Sequence, residues 1–499
     1  MRGFITKFVK LLGSRPFFYG VLALFAFESL WIALSAVYPM AFDEDFHLGI
    51  IKIYSHHWLP FLQNQPENAS QFGALAADPS YLYHYLMSFP YRFFSIFTSN
   101  QTILVILLRL INIALAVWGV ALFRKVLRRA GTSPALTNTA LALFVLIPIV
   151  PLLAGQINYD NLILPLTAWI CLLVSDIYDG LRQRAIKLKP IVILAVACLL
   201  GSLVKFSFLP IALAAAVFVA LVVLRQFWGS RAKFVQALCR GYHDVSTRAK
   251  VILLILLVLS GGLFIQRYGV NLVRYHTPIP DCGSVLSEDE CIDYGPWARN
   301  NRLKNLKNEA AVNKSPLAFT WQWLQSMHYR LFFAINGPAD DYRNFPPLPL
   351  PAGAVIIIGV SGLFALALNW RAVFRGRKLL IFLFGMSLLY CCVLWFENYS
   401  DYLEIGQPVA INGRYLLPVL LPLAAVFGRA FSIMLRRMPI AKALLAGFIL
   451  LLFLHGGGLL SFILRSDEAW YWPNHTVIEV NNTARRVLAP IIFEGGKYY

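Results

Sequence analysis

Charged side chains are scarce in this chain. Only 14% of its 499 residues are charged, whereas a soluble protein usually carries about a quarter. Apolar residues make up 58% of the sequence, and they are gathered into long runs. The scarcity of charge excludes an ordinary soluble domain, so we interpret the apolar runs as segments that cross a lipid bilayer.

Acidic residues are the rarer charge, with 25 Asp and Glu against 44 Lys and Arg and a net charge of +19. A basic excess can indicate nucleic-acid binding, so its distribution along the chain decides its meaning. The apolar runs predict eleven transmembrane helices, at residues 17–40, 102–123, 135–154, 161–177, 190–204, 208–224, 251–267, 352–370, 379–396, 415–434 and 443–464. With a cytoplasmic N-terminus, 26 of the basic residues but only three acidic ones lie beside the inner helix ends. This positive-inside pattern predicts an all-α, N-in, C-out protein whose partners are membrane lipids and not nucleic acid.

Several kinds of motif are also missing. The sequence contains no Walker loop, dinucleotide fingerprint, zinc-protease helix motif or Cys-rich metal spacing. Its two halves show no similarity of the kind that many transporters have. Seven cysteines are present, and Cys282 and Cys291 share one outer loop. Nine residues apart on an oxidising face, these two could form a disulfide.

The connections divide the chain into four parts. Residues 1–267 are predicted to form an N-terminal transmembrane module, 268–351 a large outer loop, 352–464 the last transmembrane helices and 465–499 an outer tail. The first outer loop, 41–101, contains two aromatic-rich segments that predict interfacial helices. They cover residues 46–62 and 81–97, the second broken at Pro90. Large loops on one face alone favour an enzyme that works on the outer face.

The first group of candidate residues follows the first helix. Asp43, Glu44 and Asp45 are consecutive, and His47 lies two positions further on. Adjacent carboxylates repel one another, so one of them should have a raised pKa unless a cation is close. The arrangement suits a general base or, with His47, part of a metal site. The alternative is a solvated acidic helix end.

A second group lies at the same predicted level. Asp160 stands in a short turn, where it either has a functional role or caps the next helix. Lys205 interrupts two apolar helices and could extend to lipid headgroups or bind a phosphate. Arg414 offers a two-pronged phosphate ligand. Within the membrane, Glu28 and Arg109 are predicted to pair with each other.

Four stretches resemble motifs of the GT-C glycosyltransferases, which are multi-spanning enzymes that use polyprenyl-phosphate sugars. FDEDFHLG resembles a DExxH stretch that follows the first helix in a bacterial branch of that superfamily. INYDNLIL resembles the short Asn-x-Asp turn of the same branch, and NGRYLLPVLLPL resembles its GRYxxP helix start. DPSYLYHYL resembles more loosely a PPLYYxL stretch of the wider superfamily. The relatives include the protein O-mannosyltransferases and the aminoarabinose transferase of lipid A.

The resemblance implies an enzyme of a bacterial plasma (inner) membrane, with its active site on the extracytoplasmic face. Its donor would be a polyprenyl-phosphate-linked sugar, and its acceptor a glycan, lipid or protein. Asp43 would be the base, and Glu44 and Asp160 the other catalytic carboxylates. The same three residues could hold a divalent Mg or Mn ion, because some members of the superfamily need a metal and others do not. The substrate-binding residues would be His47, His84, Lys205 and Arg414.

Two alternatives stay open at this point. One is a polysaccharide polymerase or ligase of the same superfamily that uses a polyprenyl-diphosphate oligosaccharide. The other is a transporter or lipid flippase without enzymatic activity, which would be expected to show internal pseudo-symmetry and helices broken at the bilayer midplane.

Overall fold

The computed structural model of the chain describes residues 2–41, 43–307, 312–332 and 348–492. Within these ranges the regular secondary structure is helical, and the only β pairing is an isolated bridge between Ala36 and Tyr471. The chain is an all-α, multi-span membrane protein, as its sequence predicts.

The first half of the chain contains α1 (Arg2–Leu12), α2 (Arg15–Ser35), α3 (Glu44–Ser55), α4 (Leu82–Ser95), α5 (Gln101–Arg129), α6 (Pro134–Val145), α7 (Ile149–Ala154), α8 (Asp160–Arg182), α9 (Leu188–Val204), α10 (Leu209–Phe227), α11 (Arg231–His243) and α12 (Thr247–Phe264). The second half contains α13 (Val270–Tyr275), α14 (Cys282–Val285), α15 (Glu288–Ile292), α16 (Gly295–Asn305), α17 (Pro316–Phe332), α18 (Pro349–Phe374), α19 (Lys378–Ile405), α20 (Leu417–Met434), α21 (Pro439–Leu454), α22 (Leu459–Arg465) and α23 (His475–Ile492). A π-helical turn, Ile265–Gly269, joins α12 to α13.

Nine helical segments in the described part of the chain are long and apolar enough to span a membrane. Two shorter apolar helices, α6 and α9, occupy the remaining predicted positions. The count of eleven spans, the N-in, C-out topology and the four-part division of the chain stay predictions.

Polar caps begin several of the apolar helices. The side chains of Ser14, Asn100, Ser133 and Ser246 each accept a hydrogen bond from a backbone N–H in the first turn of α2, α5, α6 and α12. A cap of this kind satisfies a backbone donor that the helix itself leaves without a partner. The boundaries of the membrane helices therefore follow from short polar residues that precede long apolar runs.

Two details of the predicted elements are wrong. Helix α4 continues through Pro90, where the helix gives up one backbone hydrogen bond without ending. Helix α3 ends at Ser55, so Trp58 lies beyond its buried face and is 77% exposed. The last predicted span contains a break between α21 and α22, where Gly458 has a positive φ of 57°, and the two helices together form one of the nine candidate spans.

Successive spans alternate in direction, which places functional candidates from distant parts of the sequence at one end of the bundle. Helices α2 and α9 finish at this end, and α8 and α20 begin there. The short helices α3 and α4 pack against each other beside it. We refer to it as the site end; the predicted topology makes it the outer end.

Candidate functional site

Asp43 lies in the turn that leads into α3. Its backbone is in the left-handed region, with φ 70° and ψ 29°, which a short polar side chain enters more readily than most. The Asp43 side chain is 56% exposed, and its Oδ2 lies 2.7 Å from Nη2 of Arg414. Arg414 belongs to the 3₁₀ turn that precedes α20, and its side chain is almost fully buried. An exposed carboxylate is thus paired with a buried guanidinium from the far end of the sequence.

Asp160 and Lys205 form a second ion pair. Asp160 Oδ1 lies 2.6 Å from Lys205 Nζ, and both side chains are buried. Asp160 is the first residue of α8, and its N–H donates to Asn158 Oδ1 at 2.9 Å. The N-cap position belongs to Tyr159, so the alternative that Asp160 caps the helix is wrong. Lys205 is extended and connects α9 to the start of α10.

Two tyrosine rings join the ion pairs into one cluster. Lys205 Nζ lies 4.4 Å from the ring centre of Tyr159 and 4.7 Å from that of Tyr415. Arg414 Cζ lies 5.2 Å from the centre of the same Tyr415 ring. The ammonium and the guanidinium therefore share one aromatic neighbour. We call Asp43, Asp160, Lys205 and Arg414 the charge cluster.

Glu44 is not part of this cluster, although it directly follows Asp43. Its side chain is fully buried, and Arg109 binds both of its oxygens at 2.8 and 2.7 Å. The backbone N–H groups of Met40 and Ile157 also donate to it. A carboxylate enclosed by four donors can reach neither a substrate nor a metal. The prediction that Glu44 acts in catalysis is therefore corrected: Glu44 fastens α3 to α5 and to the turn before α8.

The predicted pairing of Glu28 with Arg109 is wrong as well. Arg109 uses its other donors on the carbonyl oxygens of Ala33 and Ala36. Glu28 instead accepts a hydrogen bond from the Leu459 N–H at 3.2 Å. The two charges lie on neighbouring helices, but each has a nearer partner.

His47 and His84 are paired inside the protein. His47 Nδ1 lies 2.8 Å from His84 Nε2, and the rings are stacked. Burial lowers the pKa of both: that of His84 falls to about 3, and that of His47 falls well below its ordinary value, with further lowering by His84, Arg414 and Lys205. Both imidazoles are therefore neutral at physiological pH. The Tyr159 ring, which also contacts Lys205, packs edge-on against His47, so the histidine pair supports one of the two rings that join the cluster.

The side chains present do not fit a divalent cation held by Asp43, Glu44 and Asp160. Glu44 is enclosed by Arg109, and the other two carboxylates are each paired with a cation. Across the described residues, no three His, Cys, Asp or Glu side chains come together as metal ligands would. The positive charges of Lys205 and Arg414 would also repel a metal cation.

An apolar cavity of about 710 Å³ opens beside the cluster, between α9, α10 and α19. Phe206 and Ser207, which follow Lys205 directly, form part of its wall. Tyr390 lines it as well, and its hydroxyl donates to the Tyr415 carbonyl at 2.8 Å. A second apolar cavity, of about 490 Å³, lies between α6, α18, α20 and α21, away from the charge cluster.

Sequence reasoning missed Tyr159 and Tyr415, which connect the two ion pairs. Each stands directly beside a charged candidate residue, in the stretches INYDN and NGRYL. An aromatic residue next to a charge in a short turn was the available signal. The structure also joins Cys282 and Cys291 by a disulfide.

No protein-family model matches this chain. No curated protein matches it either. Among solved structures, it is similar to the apo oligosaccharyltransferase of the archaeon Archaeoglobus fulgidus, with 15% identity and a TM-score of 0.48 over 94% of this chain. It is also similar to the AglB oligosaccharyltransferase of the same organism in complex with an inhibitory peptide and a dolichol-phosphate (14%, TM-score 0.42, 94% of this chain). The structure of that enzyme with Zn and sulfate matches 87% of this chain and 52% of its own, with 15% identity and a TM-score of 0.44.

The chain spans 56% of the length of the first two of these structures. A likeness this distant is too weak to transfer an activity from those proteins to this chain.

Proposed function

We propose that this chain is a glycosyltransferase that moves a sugar from a polyprenyl-phosphate donor to a cell-envelope acceptor at the outer face of the plasma membrane. The observation that carries the proposal is the charge cluster: one exposed carboxylate lies beside two buried cations at the site end of the bundle. The GT-C-like motifs contribute three of its four residues, Asp43, Asp160 and Arg414.

The two cations suit the phosphate of the donor. Arg414 offers a planar fork of donors and Lys205 a compact point charge, the two ways in which proteins bind phosphate. Both side chains are nearly inaccessible to water, so their attraction for an anion is weakly screened. The apolar cavity that begins at Phe206 would take the first isoprene units of the lipid chain.

Asp43 is the group best placed to act as base. In the proposed reaction its carboxylate accepts the proton of the acceptor hydroxyl, while the hydroxyl oxygen forms a bond to C1 of the sugar. The bond between C1 and the phosphate oxygen breaks, and its electron pair leaves with polyprenyl phosphate. Attack from the face opposite the phosphate inverts the configuration at C1. Lys205 and Arg414 stabilise the charge that develops on the leaving group, and no step needs a metal.

Exchange of Asp43 for Asn tests the proposal. The Asp43→Asn variant keeps the side-chain size but removes the base, so we expect transfer to fall by about 10² to 10⁴-fold. Asp45→Asn is the matched control, because Asp45 is an exposed carboxylate on the first turn of α3, two positions after Asp43. Mass spectrometry of envelope lipids and glycans from a strain lacking the chain identifies the missing sugar.

Complementation of that strain with each variant then gives the answer. We expect Asp45→Asn to restore the missing sugar and Asp43→Asn to leave it missing at an equal membrane level of protein. Restoration by Asp43→Asn would refute the role of Asp43, and an unchanged glycan and lipid profile in the deletion strain would refute the proposed function.

A further inference from the structure

A small disulfide-closed segment, residues 281–307, crosses above the site end of the bundle. It contains α14, α15 and α16, and the Cys282–Cys291 disulfide joins the first two of these helices. Trp297 Nε1 donates to Asp281 Oδ2 at 2.9 Å and closes the segment on its other side. We call this segment the bridge.

The bridge is fastened at both ends to parts of the chain that carry cluster residues. On one side, Ser70 in the first outer loop donates to Asp293 at 2.8 Å. On the other side, Lys304 pairs with Glu404 at 2.8 Å, and Lys307 donates to the Leu403 carbonyl at 2.7 Å. Both of these acceptors lie in the last turn of α19, shortly before Arg414. The bridge therefore extends from the Asp43 side of the cluster to the Arg414 side.

Tyr294 lies at the middle of the bridge, between α15 and α16. Its ring packs at 6.0 Å from that of Phe46, which in turn lies 5.8 Å from Phe72. Gly73, with φ 72°, allows this approach, because a Cβ at that position would lie 3.2 Å from the Tyr294 ring. All three rings are half-buried and so keep part of their surface open.

Tyr294 lies near the cluster, because its ring packs against that of Phe46, which is three residues after Asp43. Burial is the main reason why the pKa of the Tyr294 hydroxyl is raised. The electrostatic effects of Asp78, Asp43, Tyr415 and Asp281, from largest to smallest, raise this pKa further. Among the described residues, the Tyr294 hydroxyl has no hydrogen-bond partner, so it is available to a ligand. The carboxylate proposed as base and this phenol therefore lie close together at the site end of the bundle.

We propose that the acceptor is a neutral carbohydrate that enters from the aqueous side beneath the bridge, with a sugar ring against Phe46, Phe72 and Tyr294 and a sugar hydroxyl bonded to the Tyr294 hydroxyl. The inference rests on the proposed function, which supplies the role of Asp43. It assigns to Tyr294 the positioning of the acceptor.

The charges nearby favour this ligand class over others. Residues 281–293 of the bridge contain five acidic side chains and residues 294–307 contain four basic ones, so the bridge has almost no net charge with which to attract a charged acceptor. The apolar faces of sugar rings pack well on aromatic side chains, and carboxylates and phenols bind sugar hydroxyls. An extended peptide would commonly add to a free strand edge, and the described part of the chain contains no strand. A neutral glycan suits the low net charge of the bridge, packs on its aromatic rings and needs no strand edge.

Binding of defined probes to the full-length protein in nanodiscs tests the proposal without any need for catalysis. The probes are three neutral trisaccharides, of glucose, galactose and mannose, and a neutral hexapeptide that contains Ser and Thr. Saturation-transfer NMR reports which probe binds and with what Kd. We expect at least one trisaccharide to bind and the peptide not to bind.

Two variants of Tyr294 distinguish the contribution of its ring to binding from that of its hydroxyl. We expect Tyr294→Ala to raise the Kd of the bound trisaccharide about tenfold, because the stacking surface and the hydrogen bond are both lost, and Tyr294→Phe to raise it about threefold. Tyr294→Phe keeps the ring, so its effect cannot come from a collapsed bridge. Trp58→Ala is the control, because Trp58 is an exposed aromatic residue of the first outer loop, which also carries Phe46 and Phe72. The Kd of the trisaccharide for this variant should equal that for the unaltered protein.

Each result has one meaning. Equal Kd values for Tyr294→Ala and the unaltered protein overturn the inference, as does binding of the peptide alone or of no trisaccharide. If Asp43→Asn fails to complement the deletion strain and yet no trisaccharide binds, the proposed function stands and the acceptor assignment falls. If Asp43→Asn complements fully, the proposed function falls, whatever the trisaccharides do.

Discussion

Asp43 and Glu44 are neighbours in sequence with opposite environments. The left-handed backbone of Asp43 directs its side chain out of the turn, whereas Glu44, the first residue of α3, points into the bundle. One carboxylate is half-exposed and the other fully buried. Removal of one partner of a buried ion pair leaves an uncompensated charge and typically costs about 3 to 5 kcal/mol. Loss of Glu44 should thus damage folding, and loss of Asp43 should damage chemistry.

The histidine pair predicts a dependence of stability on pH. His47 and His84 stay neutral when folded, because their pKa values are lowered, to about 3 for His84. Their unfolded values are about 6.5. Below pH 6.5 the unfolded chain binds protons that the folded chain does not. The stability that depends on the pair is therefore complete above pH 6.5 and falls as the pH decreases toward 3, by about 1.4 kcal/mol per pH unit for each histidine.

Thermal unfolding in detergent between pH 7.5 and 4.5 measures this effect. His84→Gln removes one of the two titrating groups and keeps a side chain that can hydrogen-bond to His47, so its melting temperature should fall less steeply with acid than that of the unaltered protein. The exposed His56 provides the control variant, His56→Gln, whose slope should not change. Equal slopes for all three proteins would show that the buried pair does not titrate as stated.

At the scale of elements, Gly413 determines where Arg414 lies. It begins the 3₁₀ turn before α20, and this turn packs against α17. A Cβ on Gly413 would lie 2.4 Å from the Met327 carbonyl oxygen and 2.7 Å from the Leu331 backbone nitrogen. Backbone atoms of a helix cannot move aside cheaply. Gly413→Ala should therefore displace Arg414 and lower sugar transfer by about tenfold or more, since small misplacements of this kind are costly.

The matched control for that variant is Gly385→Ala. Gly385 lies within α19 with open space where its Cβ would be, so alanine there should leave transfer unchanged. Transfer is measured by complementation of the deletion strain at equal membrane levels of each protein. Normal transfer by Gly413→Ala would mean that the position of Arg414 does not depend on its contact with α17.

Sequence patterns predicted the elements much better than the partners of individual side chains. Apolar runs and polar caps depend on residues close together in the chain, so α2, α5, α8, α19 and α20 lie near their expected positions. The partner of Arg109 could not be found in this way. Glu28 and Glu44 were both possible partners of Arg109. Which of them pairs depends on the position of α3 relative to α5, and Arg109 lies 65 residues after Glu44. The same holds for Tyr294, which comes to the site through contacts of the bridge that no local pattern encodes.

At the scale of the whole molecule, the cluster is assembled from four turns at the same end of the bundle. Asp43 follows α2, Asp160 begins α8, Lys205 follows α9, and Arg414 precedes α20. No two of these helices are consecutive spans, apart from α8 and α9. The site therefore exists only when both halves of the transmembrane bundle are assembled, and a truncated N-terminal half would keep Asp43 and Lys205 but lose the Arg414 partner of the base.

The predicted topology places this end outside the cell, and thiol labelling tests that placement. Cys239 lies exposed on α11, at the opposite end from the charge cluster. The other thiols outside the disulfide lie in the apolar helices α8, α9 and α19, which a reagent that cannot enter the lipid bilayer does not reach. A membrane-impermeant maleimide should thus leave the unaltered protein unlabelled in intact cells and label Cys239 after permeabilisation. Arg302→Cys, on the exposed surface of α16, should be labelled in intact cells.

Cys239→Ser is the control that assigns the signal, because it should remove the labelling seen after permeabilisation. Labelling of Cys239 in intact cells would reverse the orientation and put Asp43 in the cytoplasm. The charge pattern argues against that result, because reversal would leave 26 of the 44 basic residues on the outer side of the membrane, against the potential that retains positive loops inside. An outward-facing Arg302 together with a protected Cys239 would place the bridge, and the acceptor entrance beneath it, on the face where envelope glycans are assembled.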